Sequence, residues 1–213
     1  MLDPLEPIDR ADAKELCFLE SIKWARNRYH NLPFHVARIE RTWGQYFGGA
    51  PGFELAQALP RDLGPDLIKV RLVYNQARYT VTHAPYSFPV LKTAELVKSD
   101  LYYGEKFVDR GELNALKAQS QADEILIVQD GQITDCSIAN LVFAEGTGRL
   151  VSPKKCLLPG VKRAALLAAK KIELAVIRPG DLDKYARVSL INAMIDLEDA
   201  IEIPVERIFG ERV

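Results

Sequence analysis

Residues 124–143 read EILIVQDGQITDCSIANLVF, and this stretch says more about the fold than any other part of the chain. Two apolar runs flank the dipeptide Asp130-Gly131, and Asp-Gly readily takes the positive φ angles that a tight hairpin turn needs. A second turn signal, EGTG at 145–148, follows the next apolar run. The stretch therefore predicts an antiparallel β-meander.

Helical patterns lie on both sides of the predicted meander. In FHVARIERTWGQYFG (34–48), apolar residues recur at helical spacing until a Gly-Gly pair ends the helix, and PGVKRAALLAAKKI (159–172) reads as another helix. A short helix is predicted at ELAQAL and another at RGELNALKAQSQ. Further strands are predicted at CFLESIKW (17–24), on both sides of a turn at Asn75-Gln76, at AVIRP (175–179) and at ARVSLINAM (186–194).

Composition limits the possible classes of protein. The chain has 213 residues, a formal charge of -1, 48% hydrophobic residues and 27% charged residues, which is typical of a globular protein without a nucleic-acid partner. The apolar runs are too short to span a membrane, and the N-terminal residues do not resemble a secretory signal. Three scattered cysteines and three histidines argue against a disulfide scaffold and a metal site. We therefore expect a cytoplasmic protein.

The order of the elements predicts an α+β fold with two domains. The pattern of apolar and polar residues changes after Pro89, so we expect a small domain over residues 1–95 and a larger, β-rich domain over residues 96–213. The larger domain would carry Lys106, which lies in the stretch GEKFVDR (104–110). If Lys106 stands on a strand, it shares a face with Tyr102 and Val108. It is then either a solvated strand lysine or a desolvated amine with a lowered pKa, suited to Schiff-base chemistry.

Three other features indicate a possible ligand site when they are considered together with Lys106. Asp135 ends a predicted strand, where it could cap a turn or hold a proton on a ring nitrogen. The loop LLPG feeds a helix whose N-terminus, with Lys162 in its first turn, could bind an anion. Arg41 could face solvent or reach a phosphate. An amine, a carboxylate and a phosphate site together fit pyridoxal 5′-phosphate (PLP), whose ring serves as an electron sink.

The chain resembles the class IV aminotransferase family, whose members are fold-type IV PLP enzymes. The resemblance is carried by FLESIKW, HVARIER, EKFVDRGEL, ADEILIVQDGQITDCSIANLVF, SPKKCLLPGVKRAALL and VSLINAM. It implies a small α/β domain, a larger pseudo-barrel domain and a homodimer. It implies that Lys106 binds PLP as a Schiff base and that Asp135 faces the pyridine nitrogen. The residues that it implies for the phosphate are Arg41, Val161, Lys162, Asn192 and Ala193.

The chain departs from the family pattern at two of these positions. Asp135 stands where a glutamate is usual, and Lys162 stands where a threonine is frequent, so we expect phosphate binding to rely more on charge. The spacing of Lys106 and Arg110, the compact length and the INAM block resemble aminodeoxychorismate lyases, which form 4-aminobenzoate and pyruvate for folate synthesis. The alternatives are transamination of a small branched-chain or D-amino acid, and PLP binding without catalysis.

Overall fold

The structure is a computed structural model that describes residues 16–211, and these residues form two compact units. The first unit contains the described residues up to Ser87 together with Glu105–Asp109. The second contains Phe88–Gly104 and the described residues from Arg110 onward. This division differs from the predicted boundary at residue 95. Residues 94–98 form a strand of the second unit, and the backbone around Lys106 pairs with a strand of the first.

A four-stranded antiparallel sheet forms the first unit. Its strands are β1 (Phe18–Ala25), β2 (Arg28–Tyr29), β3 (Ile68–Tyr74) and β4 (Tyr79–Pro85). They lie in the order β2-β1-β3-β4. The strands predicted at residues 17–24 and around Asn75 are confirmed. The turn between β3 and β4 is closed by Asn75, whose Oδ1 atom accepts hydrogen bonds from the backbone N–H groups of Ala77 and Arg78, both at 2.9 Å.

An aromatic core holds the helices of this unit against its sheet. The helices are α1 (Leu32–Tyr46) and α2 (Leu55–Ala58). Ile39 and Trp43 of α1 are buried in the same cluster as Phe18 of β1 and Tyr74 of β3. The predicted helix is confirmed, and it ends before Gly48, whose φ of 75° a side chain would strain.

The second unit contains a nine-stranded mixed sheet. Its strands are β5 (Ala94–Lys98), β6 (Glu124–Gln129), β7 (Gln132–Cys136), β8 (Asn140–Glu145), β9 (Leu150–Pro153), β10 (Glu173–Ala175), β11 (Tyr185–Ile191), β12 (Ile201–Pro204) and β13 (Ile208–Phe209). Seven of them run in the order β10-β9-β8-β7-β6-β5-β13, and β11 pairs with both β8 and β12. The pairs β5–β6, β5–β13 and β9–β10 are parallel.

The predicted meander is confirmed as β6, β7, β8 and β9. Asp130 and Gly131 have φ angles of 50° and 70°, which is the conformation expected of the Asp-Gly turn. Between β7 and β8 the chain reverses over a second tight turn, in which the Cys136 N–H donates to the Ala139 carbonyl at 3.0 Å. This turn sets Asp135 opposite Asn140 across the two strands.

Two α-helices complete the unit, α3 (Gly111–Ala118) and α4 (Val161–Ala168). Short 3-10 turns occur at Pro179–Lys184, Leu197–Asp199 and Val205–Arg207. The strand predicted at AVIRP was wrong except at Ala175. Ile177 is completely buried, but its carbonyl accepts a single bond from the Ile133 N–H, at 2.8 Å, outside any strand. Strands β12 and β13 were not predicted.

Candidate functional site

Lys106 lies on a short extended segment that runs beside β1. The Leu19 N–H donates to the Lys106 carbonyl at 2.8 Å, and the Val108 N–H donates to the Cys17 carbonyl at 3.0 Å. The ring of Phe107 lies 5.3 Å from that of Phe18. Lys106 does not stand on a regular strand, so the condition for sharing a strand face with Tyr102 and Val108 is not met, because the segment makes only this isolated bridge. Lys106 is half-buried there.

Arg41 lies close to the residue that precedes Lys106. Its Nη2 atom donates to Oε2 of Glu105 at 3.1 Å, and Oγ1 of Thr42 donates to the same oxygen at 2.7 Å. Glu105 is buried, whereas the Arg41 side chain is 44% exposed. The structure therefore brings Arg41 and the Lys106 segment together through the carboxylate of Glu105.

A buried charged cluster in the first unit was missed by sequence reasoning. Glu20 of β1 accepts two hydrogen bonds from Arg38, at 2.7 and 2.5 Å, and its Oε2 atom lies 2.5 Å from Nδ1 of His35. Burial alone would raise the pKa of Glu20, but Arg38 and His35 outweigh it and lower that pKa to about 2. A signal was present in the sequence, because Glu20 shares a strand face with Phe18 and Ile22.

Asp135 is a buried carboxylate whose two oxygens are both hydrogen-bonded. Oδ1 accepts from Nδ2 of Asn140 at 2.8 Å, and Oδ2 accepts from the Leu158 N–H at 2.9 Å. Burial raises the pKa of Asp135 to about 6, against the opposing effects of these two donors and of Arg163. At pH 7 the carboxylate is mostly ionised, so it is able to stabilise a protonated ring nitrogen.

Asn140 connects Asp135 to the start of α4. Its Nδ2 atom also donates to the Leu158 carbonyl at 2.9 Å. Its Oδ1 atom lies so close to Gly160 that a Cβ at that position would meet it at 1.8 Å. Gly160 has a φ of -73°, which any residue tolerates. Glycine is therefore required at position 160 because a side chain would clash with Asn140, and not because of the backbone conformation.

The start of α4 has the donors of an anion site but not the free charge that was predicted for it. Gly160 is the N-cap, and within the described residues no side chain caps the helix, so main-chain N–H groups are available in the first turn. Val161 and Lys162 are buried. The Lys162 ammonium contacts the carboxylate of Asp196. We expected phosphate binding to rely on the charge of Lys162, but Asp196 competes with a phosphate for that charge.

Asn192 and Ala193 begin the turn that follows β11. Oδ1 of Asn192 accepts from the N–H groups of Met194 and Ile195, at 2.9 and 3.1 Å. Its Nδ2 atom donates to the Ile138 carbonyl at 3.1 Å, in the turn after Asp135. The side chain of Asn192 thus fixes the turn to its surroundings, and any further ligand would meet mainly the backbone of this turn.

Arg110, the other residue of the KxxxR arrangement, also reaches the turn after Asp135. Its Nη2 atom donates to the Ser137 carbonyl at 2.7 Å. The buried Glu124 holds the same residue by accepting from its N–H group at 3.2 Å and from its hydroxyl at 2.9 Å. Hydrogen bonds therefore hold the turn on several sides, which fixes the backbone next to Asp135.

The second unit thus offers two groups that would suit PLP, while Lys106 and Arg41 belong to the first unit. The buried carboxylate of Asp135 suits a ring nitrogen, and the main-chain N–H groups at the start of α4 suit a phosphate. Within residues 16–211 no group of three or more His, Cys, Asp or Glu side chains is arranged for a metal ion. No helix among the same residues has the length and hydropathy of a membrane span.

Comparisons with known proteins agree with this chemistry. The model of the family "Amino-transferase class IV" matches residues 101–202. An uncharacterized protein of Haemophilus influenzae is 33% identical over 182 residues, which are 82% of this chain and 96% of that protein. The crystal structure of a provisionally named 4-amino-4-deoxychorismate lyase from Haemophilus somnus is 34% identical, with a TM-score of 0.78 over 85% of this chain and 98% of that one.

More distant structures share the fold. The PLP-bound form of a hypothetical aminotransferase from Mycobacterium tuberculosis has a TM-score of 0.77 at 18% identity, over 98% of this chain and 88% of that chain. The predicted α+β fold of the fold-type IV enzymes is confirmed. The chain therefore belongs to the class IV aminotransferase family and is a PLP-dependent enzyme.

Proposed function

We propose that the protein is a lyase that converts 4-amino-4-deoxychorismate to 4-aminobenzoate and pyruvate, a step of folate biosynthesis. The observation that carries this proposal is the likeness to the Haemophilus somnus protein, which extends over almost all of that chain. The KxxxR arrangement of Lys106 and Arg110 supports it as well, since Arg110 reaches the turn that follows Asp135.

Each proposed site residue has a role that follows from its chemistry. PLP, when bound, supplies an electron sink for a carbanion beside the substrate's amino group. Lys106 would hold the cofactor covalently, and its Nζ atom, when free, would take and return protons. Asp135 keeps a proton on the ring nitrogen. Arg41 is proposed to hold the phosphate through its side chain, and Val161, Lys162, Asn192 and Ala193 are proposed to do so through their main chain.

Arg41 and Arg38 are alternative cationic partners of the phosphate. Arg41 is accessible, and a single ion pair with Glu105 engages it. Arg38 lies about one turn earlier on α1 but is buried and bonded twice to Glu20. We favour Arg41, because a ligand can reach its guanidinium without breaking a buried ion pair.

Two alternative functions keep the same cofactor. A transaminase would release a 2-oxo acid and would need an amino acceptor; the hypothetical aminotransferase from Mycobacterium tuberculosis, which shares the fold of this chain, is compatible with that function. A non-catalytic PLP-binding protein would be coloured but inert with amino substrates. The three functions differ in their products, so a product assay separates them.

The test is to mix the purified protein with 4-amino-4-deoxychorismate and to measure 4-aminobenzoate and pyruvate. We expect equal amounts of both without any added amino acceptor, and none from Lys106→Ala. A 2-oxo acid that appears only with an amino acceptor would favour transamination. The absence of any product from a coloured protein would favour the binding protein.

Two further properties are proposed with this function. We propose a homodimer, which sedimentation of the purified protein would test. A cytoplasmic location is proposed from the three scattered cysteines, and fractionation of cells that make the protein would test it.

A further inference from the structure

An ion pair joins two stretches of main chain in the second unit. Lys162 is the second residue of α4, and its Nζ atom contacts Oδ1 of Asp196. Asp196 directly follows the turn that Asn192 begins. The two side chains are only 11% and 21% exposed, so salt screens this pair far less than it screens a surface pair.

The positive charge of Lys162 lies in an energetically unfavourable position unless an anion lies close to it. The first turn of a helix carries the positive end of the helix dipole, and burial disfavours an ammonium group. The carboxylate of Asp196 compensates both effects at contact distance. The ammonium is therefore engaged by a carboxylate before any phosphate arrives.

The pair also limits the freedom of both backbones. Asn192 closes its turn by accepting hydrogen bonds from Met194 and Ile195, and Asp196 then fixes the end of this turn to α4. A set of main-chain donors that is rigid before binding avoids the cost of ordering them when the ligand binds. Such rigidity benefits a phosphate that bonds to both stretches.

We propose that Lys162 and Asp196 are positioning residues for the phosphate site. Their ion pair holds the start of α4 and the turn after β11 in the arrangement that receives the phosphate, and the ammonium group of Lys162 does not itself bind it. The inference rests on the phosphate site proposed above. It does not depend on which reaction the enzyme catalyses.

The experiment uses the full chain and compares two ligands, PLP and pyridoxal, which lacks the phosphate. Asp196→Asn breaks the pair, so we expect about tenfold weaker binding of PLP and a change within about twofold for pyridoxal. In the protein freed of cofactor, amides of residues 161–164 and 192–196 should exchange hydrogen faster. Glu198→Gln is the matched control, since it breaks an exposed pair with Lys171 at the neighbouring 3-10 turn. It should change neither affinity.

Two results would overturn the proposal. If the ammonium released by Asp196→Asn bound the phosphate, the variant would bind PLP more tightly than the wild type, and the proposal would be overturned. Lys162→Arg keeps the pair and should keep the ratio of the two affinities. A tenfold loss of PLP binding in this variant would also overturn the proposal. Failure of the lyase proposal would appear in the product assay and would leave these affinities unchanged.

Discussion

Replacement of Glu20 by glutamine should destabilise the first unit through its buried ion pair. The change keeps the size of the side chain but leaves Arg38 as a buried cation without its carboxylate. The pKa of Glu20 falls from 4.5 to about 2 in the folded protein. At about 1.4 kcal/mol per pH unit, this difference corresponds to about 3 kcal/mol of folding free energy. Loss of one partner of a buried pair generally costs about 3–5 kcal/mol.

The pH dependence of this loss has a defined sign. Because folding lowers the pKa of Glu20, its contribution is fully present above pH 4.5 and is lost as the pH falls through about 2. The titration of Glu20 should therefore leave the stability difference between the wild type and Glu20→Gln unchanged above pH 4.5. This difference should shrink progressively below pH 4.5.

Urea unfolding of the cofactor-free protein measures the difference. The chain has two tryptophans, Trp24 and Trp43, and both are buried in the first unit, so tryptophan emission reports the unfolding of that unit. Glu40→Gln is the matched control, an exposed glutamate on α1, the helix that carries Arg38. A Glu20→Gln variant within about 0.5 kcal/mol of the wild type, the range of ordinary surface substitutions, would refute the reasoning.

Four other predictions concern the proposed cofactor site. Lys106→Ala should lose the visible absorption of bound PLP while the emission of Trp24 and Trp43 stays native-like, and a retained absorption band would contradict the assignment. Asp135→Ala should slow turnover by about 100-fold or more at saturating PLP, as loss of a charge-stabilising group does; turnover at the wild-type rate would exclude the ring-nitrogen role. Burial raises the pKa of Asp135 from 3.8 to about 6, so the free energy of unfolding should fall as the pH rises through this range. Asp135→Asn should remove that slope in urea titrations. Arg41→Ala should weaken PLP binding about tenfold with little effect on pyridoxal, and an equal loss for both ligands would argue against a phosphate contact.

Local signals explain which parts of the fold were predictable. The turn at Asp130-Gly131 requires positive φ angles, and the apolar residues of α1 recur at helical spacing. This turn and this helix were therefore predicted from neighbouring residues alone. The hypothesis that Lys106 stands on a strand is not met, for a reason that the neighbouring residues do not reveal. Its segment alternates like a strand but meets its partner over only three residues, at the beginning of β1.

Site contacts that span long stretches of sequence were out of reach. Arg38 meets Glu20 across 18 residues, and Lys162 meets Asp196 across 34 residues. Nothing in the spacing of such pairs indicates that they touch, because the strands and turns that bring them together are set by the whole sheet. The unusual feature that sequence did offer was Glu20 itself, a carboxylate on an apolar strand face.

The path of the chain through the two units has a practical consequence for dissecting the protein. A contiguous fragment ending at Ser87 would lack Glu105–Asp109, and with them the backbone bonds and the Phe107 ring that cover the beginning of β1. The residues around Lys106 are thus also part of what folds the N-terminal unit. Truncated versions of this unit should aggregate or remain molten unless the missing five residues are grafted back.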